Sequence, residues 1–173
     1  MRVEAATLAD LPSIHAAYEA GRAKQRTQRS SVWPAFTDAA IIREIDAGCL
    51  FCVKDDASLV GVFTMVEEDA LIWGDDERGE HLYLHRIARD TSYPGRGLVD
   101  AMLDWAFQQC NARGRASLRM DTWASNDVLI AFYGARGFEL VGTRVMPMDE
   151  RLSPHYRGTE LALLESRCRT RNG

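Results

Sequence analysis

Apolar runs of strand length alternate along the chain with longer segments in which apolar residues recur every three or four positions. The pattern predicts a first strand at residues 2–6, followed by two helices. We expect Asp10 to cap the first helix, which runs to about Arg22. Thr37 and Gly48 are expected to begin and end the second helix. The chain therefore starts as strand, helix, helix.

The remaining segments predict a hairpin, a strand, a long helix, a strand, a short helix and two further strands. They lie at residues 49–53 paired with 58–66, then 81–88, 98–114, 116–123, 125–136, 138–145 and 159–165. This order is typical of an α/β protein in which helices cover a mixed sheet. With 173 residues the chain can bury one sizeable core, so we expect a single domain over residues 1–173.

The composition narrows the classes of partner. A formal net charge of −4 provides no general attraction for phosphodiesters, so nucleic acid is not expected as a partner. No apolar run approaches the roughly 18 residues of a membrane helix, and Met1 leads into the first strand without an apolar signal segment. We therefore expect a cytoplasmic protein that does not enter membranes.

The four cysteines are Cys49, Cys52, Cys110 and Cys168. Only the first two form a C-x-x-C pair, and in an extended segment this spacing places their thiols on opposite faces. Without a second pair or clustered histidines, the pattern does not indicate a metal site. We expect four reduced and mostly buried thiols.

A glycine-rich turn precedes the long helix, in the stretch SYPGRGLVDAML at residues 92–103. Gly95 and Gly97 flank Arg96 there. Two interpretations are open on these residues alone. The stretch is either a tight turn, which glycine favours because it adopts positive φ, or a phosphate site. In the second case the N–H groups of Gly95 to Val99 would converge at the helix N-terminus, where the helix dipole favours an anion.

Two further stretches narrow the choice. Residues 126–138, NDVLIAFYGARGF, carry Asn126, Tyr133 seven residues later, and then a Gly-Phe pair. Residues 84–90, LHRIARD, form the strand before the turn. With the order of elements, these motifs resemble the GNAT superfamily of N-acetyltransferases across nearly the whole chain. The resemblance implies the acyl-CoA N-acyltransferase fold, an α/β fold with a central mixed, mostly antiparallel sheet flanked by about four helices.

This family binds acetyl-CoA through a strand, a Gly-rich loop and the start of the following helix. The loop usually reads Gln or Arg, two residues, Gly, one residue, then Gly or Ala. One register starts at Ser92 and places Gly95 and Gly97 on the family glycines. The other starts at Pro94 and places Gly97 and Val99 there. We prefer the second register, because it keeps the family's usual separation between the strand and the first glycine.

The resemblance implies an enzyme that moves an acetyl group from acetyl-CoA to a primary amine of a small molecule, peptide or protein, by direct attack in a ternary complex. The residues implied for binding the donor are Ile87, Ala88, Arg89, Gly95, Arg96, Gly97, Leu98, Val99, Asn126 and Tyr133. By the same resemblance, the N–H near Ile87 polarises the thioester carbonyl. Asn126 has a second, equally good interpretation as the N-cap of the short helix.

The chemistry needs a proton acceptor and a proton donor. A lysine-like amine with a pKa of ~10.4 is neutral in only about one molecule in 2,500 at pH 7, so a base has to remove its proton. The candidates are Glu80, His81, His85 and Asp121, directly or through water. For both histidines a structural role is the alternative. The resemblance makes Tyr133 the acid that protonates the leaving thiolate; the alternative is an aromatic side chain that only packs.

Aromatic residues indicate where the acceptor binds. In the family the first two helices and their connection shape that pocket, which points to Trp33 and Phe36, with Trp123 as a further wall. Packing explains any single tryptophan equally well. The acceptor is expected to be a small-molecule or peptide amine, and a homodimer stays open. The alternative function is a non-catalytic domain of the same fold that binds acetyl-CoA or a protein partner.

Overall fold

The computed structural model describes residues 1–27, 32–74, 78–95 and 97–168. Within these residues the strands are β1 (Arg2–Ala5), β2 (Leu50–Asp55), β3 (Ser58–Val66), β4 (His81–Arg89), β5 (Ser117–Trp123), β6 (Glu139–Val145) and β7 (Glu160–Arg167). The α-helices are α1 (Leu11–Thr27), α2 (Asp38–Asp46), α3 (Ala70–Trp73), α4 (Leu98–Ala112) and α5 (Asp127–Gly134). A membrane span would need a longer and more apolar helix than any of those described.

The strands form one mixed sheet in the order β1-β2-β3-β4-β5-β7-β6. β4 and β5 run parallel, with His81 opposite Ser117 and Leu84 opposite Met120. The pairs β1–β2, β2–β3, β5–β7 and β6–β7 are antiparallel. The predicted mixed, mostly antiparallel sheet with flanking helices is therefore confirmed, and so is the hairpin of β2 and β3.

The start of the first helix differs from the prediction. The Asp10 carboxylate accepts hydrogen bonds from the Thr7 N–H (2.9 Å) and the Thr7 hydroxyl (2.7 Å), so Thr7 is the capping residue. One 3₁₀ turn at Leu8–Asp10 then leads into α1, which ends later than expected, at Thr27. In a capping box both the cap and the third residue after it are polar, so either residue resembles an N-cap in the sequence. The predicted cap, Asp10, is the third residue after the observed cap, Thr7.

One helical turn, α3, lies between β3 and β4, where the sequence predicts only a loop. It is closed by the Trp73 N–H, which donates to the Asp69 carbonyl oxygen over 2.9 Å. Four residues are too few to display a helical period, so the hydrophobic pattern could not indicate this turn. The turn fixes Asp69 at its N-terminal end.

The chain divides into two compact units, and the first consists of Met1–Met65 and Arg86–Trp105. The buried cluster beneath α1 and α2 includes Ile14, Tyr18, Ile41, Leu50, Cys52 and Val62. Each fully buried isoleucine contributes about 1.5–3 kcal/mol relative to an exposed one, so this cluster holds both helices against their strands. The rings of Phe51, Phe63 and Trp105 form a second cluster, with centres between 4.7 and 5.8 Å apart.

The second unit consists of Val66–His85 and the chain from Ala106 onward. Its main cluster includes Ile72, Trp73, Tyr83, Met146, Leu152, Leu161 and Leu163. Tyr83 of β4 lies opposite Arg119 of β5. Because side chains alternate along a strand, residues two positions further along lie on the same face. His85 of β4 and Asp121 of β5 therefore lie on the face that Tyr83 and Arg119 share.

A disulfide joins Cys110 to Cys168, so the prediction of four reduced thiols is wrong for these two. Cys110 lies near the end of α4, and Cys168 directly follows β7. The Cys168 N–H donates to the Ala116 carbonyl oxygen (2.9 Å), which extends the β5–β7 pairing and leaves the two cysteine Cα atoms 6.3 Å apart. Cys49 and Cys52 are free thiols, and burial raises the pKa of Cys52 to about 12.

We expect the disulfide to contribute about 4 kcal/mol to the free energy of unfolding, because it closes a loop with a sequence separation of 58 in the unfolded chain. Under non-reducing conditions Cys168→Ser should unfold at a lower urea concentration than the wild type, and reductant should no longer change its midpoint. Cys49→Ser removes a free thiol and is the control; it should keep the wild-type dependence on reductant. Identical wild-type midpoints with and without reductant would contradict this expectation.

Candidate active site

Two glycines in left-handed conformations shape the turn before α4. Gly95 has a φ of +74° and Gly97 a φ of +72°, a region that residues with a Cβ rarely adopt. A Cβ on Gly95 would also lie 3.3 Å from the side chain of Arg89, which donates a hydrogen bond to the Tyr93 carbonyl oxygen (2.5 Å). The backbone therefore requires both glycines, and Arg89 braces the loop from the end of β4.

The first turn of α4 presents N–H groups beside this loop. The Ala101 N–H donates to the Gly97 carbonyl oxygen over 2.9 Å. The N–H groups of a helix's first turn point out of its N-terminus, and the helix dipole adds positive potential here. This N-terminus fits the diphosphate of acetyl-CoA, which needs converging donors and a close backbone approach. Arg96, also predicted to bind the donor, lies outside the described residues.

The backbone of β4 is interrupted at Arg86, which has a φ of +52° inside the strand. For a residue with a long side chain, this conformation costs about 1–2 kcal/mol. The regular pairing of β4 with β5 covers His81 to Leu84 and so ends before this point. Such a break is typical of a bulge, which changes the direction of the backbone groups that follow it. Ile87 and Ala88 are the first of these.

The Arg86 side chain is held at several points within the first unit. Its Nη2 donates hydrogen bonds to the Glu44 carboxylate and to the Thr64 hydroxyl (3.0 Å). Its guanidinium carbon lies 5.1 Å from the centre of the Phe36 ring and 6.0 Å from that of Tyr18. Only 18% of the side chain is exposed. A carboxylate, a hydroxyl and two aromatic rings together define one position for this guanidinium.

In the second unit, His85 lies between two aspartates. Its Nε2 is 3.3 Å from Asp69 Oδ2, and its Nδ1 is 3.3 Å from Asp121 Oδ1. The three side chains are between 4% and 14% exposed. They come from the start of α3, from β4 and from β5. The structure thus brings together His85 and Asp121, two of the four candidate bases, and adds Asp69; we call these three residues the Asp-His-Asp cluster.

The cluster favours a positive charge on the imidazole. Burial alone would lower the pKa of His85, but Asp121 and Asp69 favour the protonated ring more strongly and raise this pKa to about 9. Burial raises the pKa of Asp69, although His85 opposes that effect. His85 is therefore an imidazolium at neutral pH. Its pairing stabilises the fold fully below pH 6.5, and this stabilisation is lost as the pH rises through about 9.

The same three residues also offer possible metal ligands. One ligand atom from each lies within 4.8 Å of the others, so within the described residues they could hold a divalent cation. However, each ring nitrogen already faces a carboxylate oxygen at 3.3 Å, Nε2 that of Asp69 and Nδ1 that of Asp121. Because the pKa of His85 is raised to about 9, the ring carries a proton on both nitrogens at neutral pH, and a cation would have to displace one of them. The arrangement suits a doubly paired imidazolium better than a metal ion.

The other two candidate bases are separated from this cluster along the chain. His81 is buried at the start of β4, and its Nδ1 lies 2.7 Å from the Ser117 hydroxyl oxygen. Glu80 is exposed and precedes the strand. Five residues of extended chain place it about 16 Å from His85. These positions suit a structural histidine and a solvated carboxylate.

Tyr133 is buried in α5, with ring centres 5.3 Å from Phe132 and 5.8 Å from Phe138. Burial raises the pKa of its phenol to about 12, and the nearby Arg136 opposes this only in part. The hydroxyl is therefore protonated throughout the neutral range and can act only as a donor of its proton.

Asn126 lies at the start of α5, where its side-chain oxygen accepts the Leu129 N–H over 3.1 Å. This is an N-cap contact, so the side-chain oxygen is already used within the helix. The NH₂ group of this amide can still donate its two hydrogens to a ligand.

The aromatic residues predicted for the acceptor lie in different units. In the first, Trp33 and Phe36 are half-buried, 6.2 Å apart, and both pack near Tyr18. In the second, half-buried Trp123 lies on the same face of β5 as Asp121, two residues further along. Each has an exposed part that can contact a substrate.

Three residues of these arrangements have no counterpart in the sequence prediction of the site: Glu44, Thr64 and Arg86, which are ordinary polar residues of a helix or strand. For the acidic run that includes Asp69, the sequence allows two interpretations, attraction of a cationic amine or a solvated hairpin tip, and neither places Asp69 beside His85. Their contacts join segments far apart in sequence. No local spacing could have indicated them.

Comparisons with known proteins agree with this geometry. A sequence profile described as the Acetyltransferase (GNAT) family matches residues 15–138. A relative from Bacillus subtilis (strain 168), named "Uncharacterized N-acetyltransferase YesJ", is 31% identical over 125 residues, which make up 68% of this chain and 69% of that protein.

Solved structures share the fold. A GNAT family acetyltransferase from Listeria monocytogenes 4b F2365 superimposes with a TM-score of 0.72 at 20% identity, covering 96% of this chain and 94% of its own. The putative acetyltransferase yncA from Salmonella typhimurium, solved with acetyl-CoA, gives a TM-score of 0.67 at 13% identity, covering 100% of this chain and 96% of its own. The chain therefore belongs to the acetyltransferase (GNAT) family and is an acetyl-CoA-dependent N-acetyltransferase.

Proposed function

We propose that the protein transfers the acetyl group of acetyl-CoA directly to a primary amine of a small molecule, peptide or protein, with both substrates bound at once. The observation that carries this proposal is the half-buried Asp-His-Asp cluster, which offers a proton acceptor and negative charge for a cationic amine. Cytoplasmic location and a homodimer stay predictions from the sequence.

The donor is proposed to bind in the first unit. The main chain of Ile87 to Arg89 would pair with the pantetheine arm. The loop around Gly95 and Gly97 and the first N–H groups of α4 would hold the diphosphate. When bound, acetyl-CoA supplies an activated acyl group: the amine lone pair forms the C–N bond, and the C–S bond breaks with its electrons on sulfur.

His85 is proposed as the base that takes the proton from the amine. Because both of its ring nitrogens face carboxylates, the proton would reach it through Asp69, Asp121 or water. With a pKa of about 9 it is neutral in about one molecule in a hundred at pH 7. Moving a proton to His85 from an amine of pKa ~10.4 is then uphill by about 2 kcal/mol. This cost is small enough for the proton to move while the amine attacks the carbonyl. Asp69 and Asp121 hold the resulting imidazolium. Acetyl transfer should therefore be fastest at pH values near or above the pKa of His85, where more of its imidazole is neutral.

Two donors are proposed to act on the reacting thioester. The N–H near Ile87, just after the break in β4, would donate to the carbonyl oxygen as negative charge develops there, a type of contact worth about 3 kcal/mol. Tyr133 would give its proton to the sulfur. From a pKa of about 12 to a thiolate near 8.5, full transfer is uphill by about 5 kcal/mol. The phenol must therefore donate while the C–S bond breaks.

Incubation with acetyl-CoA and a panel of primary amines tests the function. We expect free thiol to appear with at least one amine, together with an acetamide product detected by mass spectrometry. Alkyl amines, amino acids and peptides with a free N-terminus form the panel, and secondary amines and alcohols are the controls. Thermal stabilisation by acetyl-CoA without thiol release from any amine would support the non-catalytic alternative.

The pH dependence identifies the base. With a peptide α-amino acceptor, whose pKa is about 7.7–8.0, the amine is neutral well below pH 9. A further rise of kcat/KM with an apparent pKa near 9 then belongs to His85. His85→Gln should lose this rise, and Asp121→Asn should move it to lower pH, because one carboxylate no longer favours the imidazolium. His81→Gln is the matched control. A rise near pH 9 that persists in His85→Gln would contradict the assignment.

Replacement of Tyr133 by Phe removes only the hydroxyl. We expect kcat to fall by about 10²-fold, the lower end of the range for a positioned proton donor, while the KM for acetyl-CoA changes little. Phe132→Leu perturbs the packing beside Tyr133 without removing a donor and should stay close to the wild-type rate. Wild-type turnover in Tyr133→Phe would exclude this tyrosine as the acid.

A further inference from the structure

Pairing within the sheet does not explain why Arg86 has a positive φ inside β4. Among the described residues other than glycine, Asp56 also has a positive φ, but it lies in the turn between β2 and β3, where such a conformation is ordinary for an aspartate. Arg86 lies inside a strand. A strained conformation persists only where the surrounding structure imposes it.

The side chain supplies that constraint. Glu44 comes from α2, Thr64 from β3 and Phe36 from the segment before α2, so three separate parts of the first unit hold one guanidinium. Thr64 is buried, and the carboxylate of Glu44 is only 22% exposed. With its far end fixed in this way, the arginine cannot relax to a regular strand conformation without breaking these contacts.

The break has a direct effect on the next peptide. In a regular strand, N–H groups point alternately to the two neighbouring strands and are used in pairing. A left-handed residue rotates the peptide that follows it, so the N–H near Ile87 is redirected. This is the group proposed to donate to the thioester oxygen.

We propose that Arg86 is a positioning residue of the acetyl transfer: its anchored side chain fixes the left-handed backbone that aims the N–H near Ile87 at the thioester carbonyl. Glu44 and Thr64 act through Arg86. The inference rests on the proposed role of that N–H and is independent of which amine is the acceptor. A misplaced oxyanion donor typically costs about 10²-fold in rate, which sets the size of the expected effect.

Two substitutions separate the backbone from the side chain. Arg86→Gly adopts a positive φ without strain but has no anchor, and Arg86→Met keeps the length but loses the donors. We expect both to lower kcat by about 10- to 100-fold, with the KM for acetyl-CoA within about threefold of the wild type. Glu44→Gln should give a smaller loss, and Arg86→Lys should recover part of the rate. Full activity in Arg86→Gly would overturn the proposal.

Arg119→Met is the matched control. Arg119 is equally enclosed: its Nε lies 2.8 Å from Glu165 Oε2, its guanidinium carbon is 4.3 Å from the centre of the Trp73 ring, and its side chain is 10% exposed. Its loss should lower the thermal midpoint as much as that of Arg86 but leave kcat near the wild-type value. Equal losses of kcat in Arg119→Met and Arg86→Met would show a general effect of instability and overturn the proposal.

Infrared spectroscopy of bound acetyl-CoA, labelled with ¹³C at the acetyl carbonyl, provides a readout that needs no acceptor amine. In the wild type we expect the carbonyl stretch at a lower frequency than in free acetyl-CoA, because the N–H polarises the bond. In Arg86→Met and Glu44→Gln it should move back toward the free value. An unshifted wild-type band would refute the proposed N–H contact. A shift that persists in Arg86→Met would refute only the positioning role.

Discussion

The left-handed backbone at Arg86 is the constraint on which the rest of the arrangement depends. The N–H groups of a strand are normally used by its neighbours, so a strand that binds a ligand through its main chain has to leave its regular pairing. β4 leaves its pairing with β5 after Leu84. Glycine would adopt the same φ more easily, but it would leave the conformation free to relax. An arginine held by Glu44 and Thr64 keeps the break in one geometry.

Two titrating side chains of the second unit have raised pKa values for different physical reasons. His85 is raised to about 9 because two carboxylates outweigh its burial, whereas Tyr133 is raised to about 12 because burial among aromatic rings disfavours its anion. The first is the better proton acceptor and the second can only donate, which is the division of roles that amide formation needs. The protonated state of His85 at pH 7 also favours acceptors with weakly basic amines.

Much of the fold could be predicted from the hydrophobic pattern, because its helices and strands follow the periods of 3.6 and 2 residues closely. Gly95 and Gly97 could be identified because positive φ demands glycine. The sequence could not indicate α3, which is too short to show a period, or the pairing of Cys110 with Cys168, which depends on how β5 and β7 align. The Asp-His-Asp cluster likewise joins three distant segments, so no spacing in the sequence could place Asp69 beside His85.

The most direct test is a crystal structure of the protein with an acetyl-CoA analogue in which a methylene group replaces the thioester sulfur. We expect the analogue's carbonyl oxygen to lie about 3 Å from the main-chain nitrogen near Ile87, the distance of a good hydrogen bond. We also expect the diphosphate at the N-terminus of α4 and an unchanged left-handed Arg86. A carbonyl directed away from β4, or a regular strand conformation at Arg86 with the analogue bound, would show that this N–H does not hold the thioester.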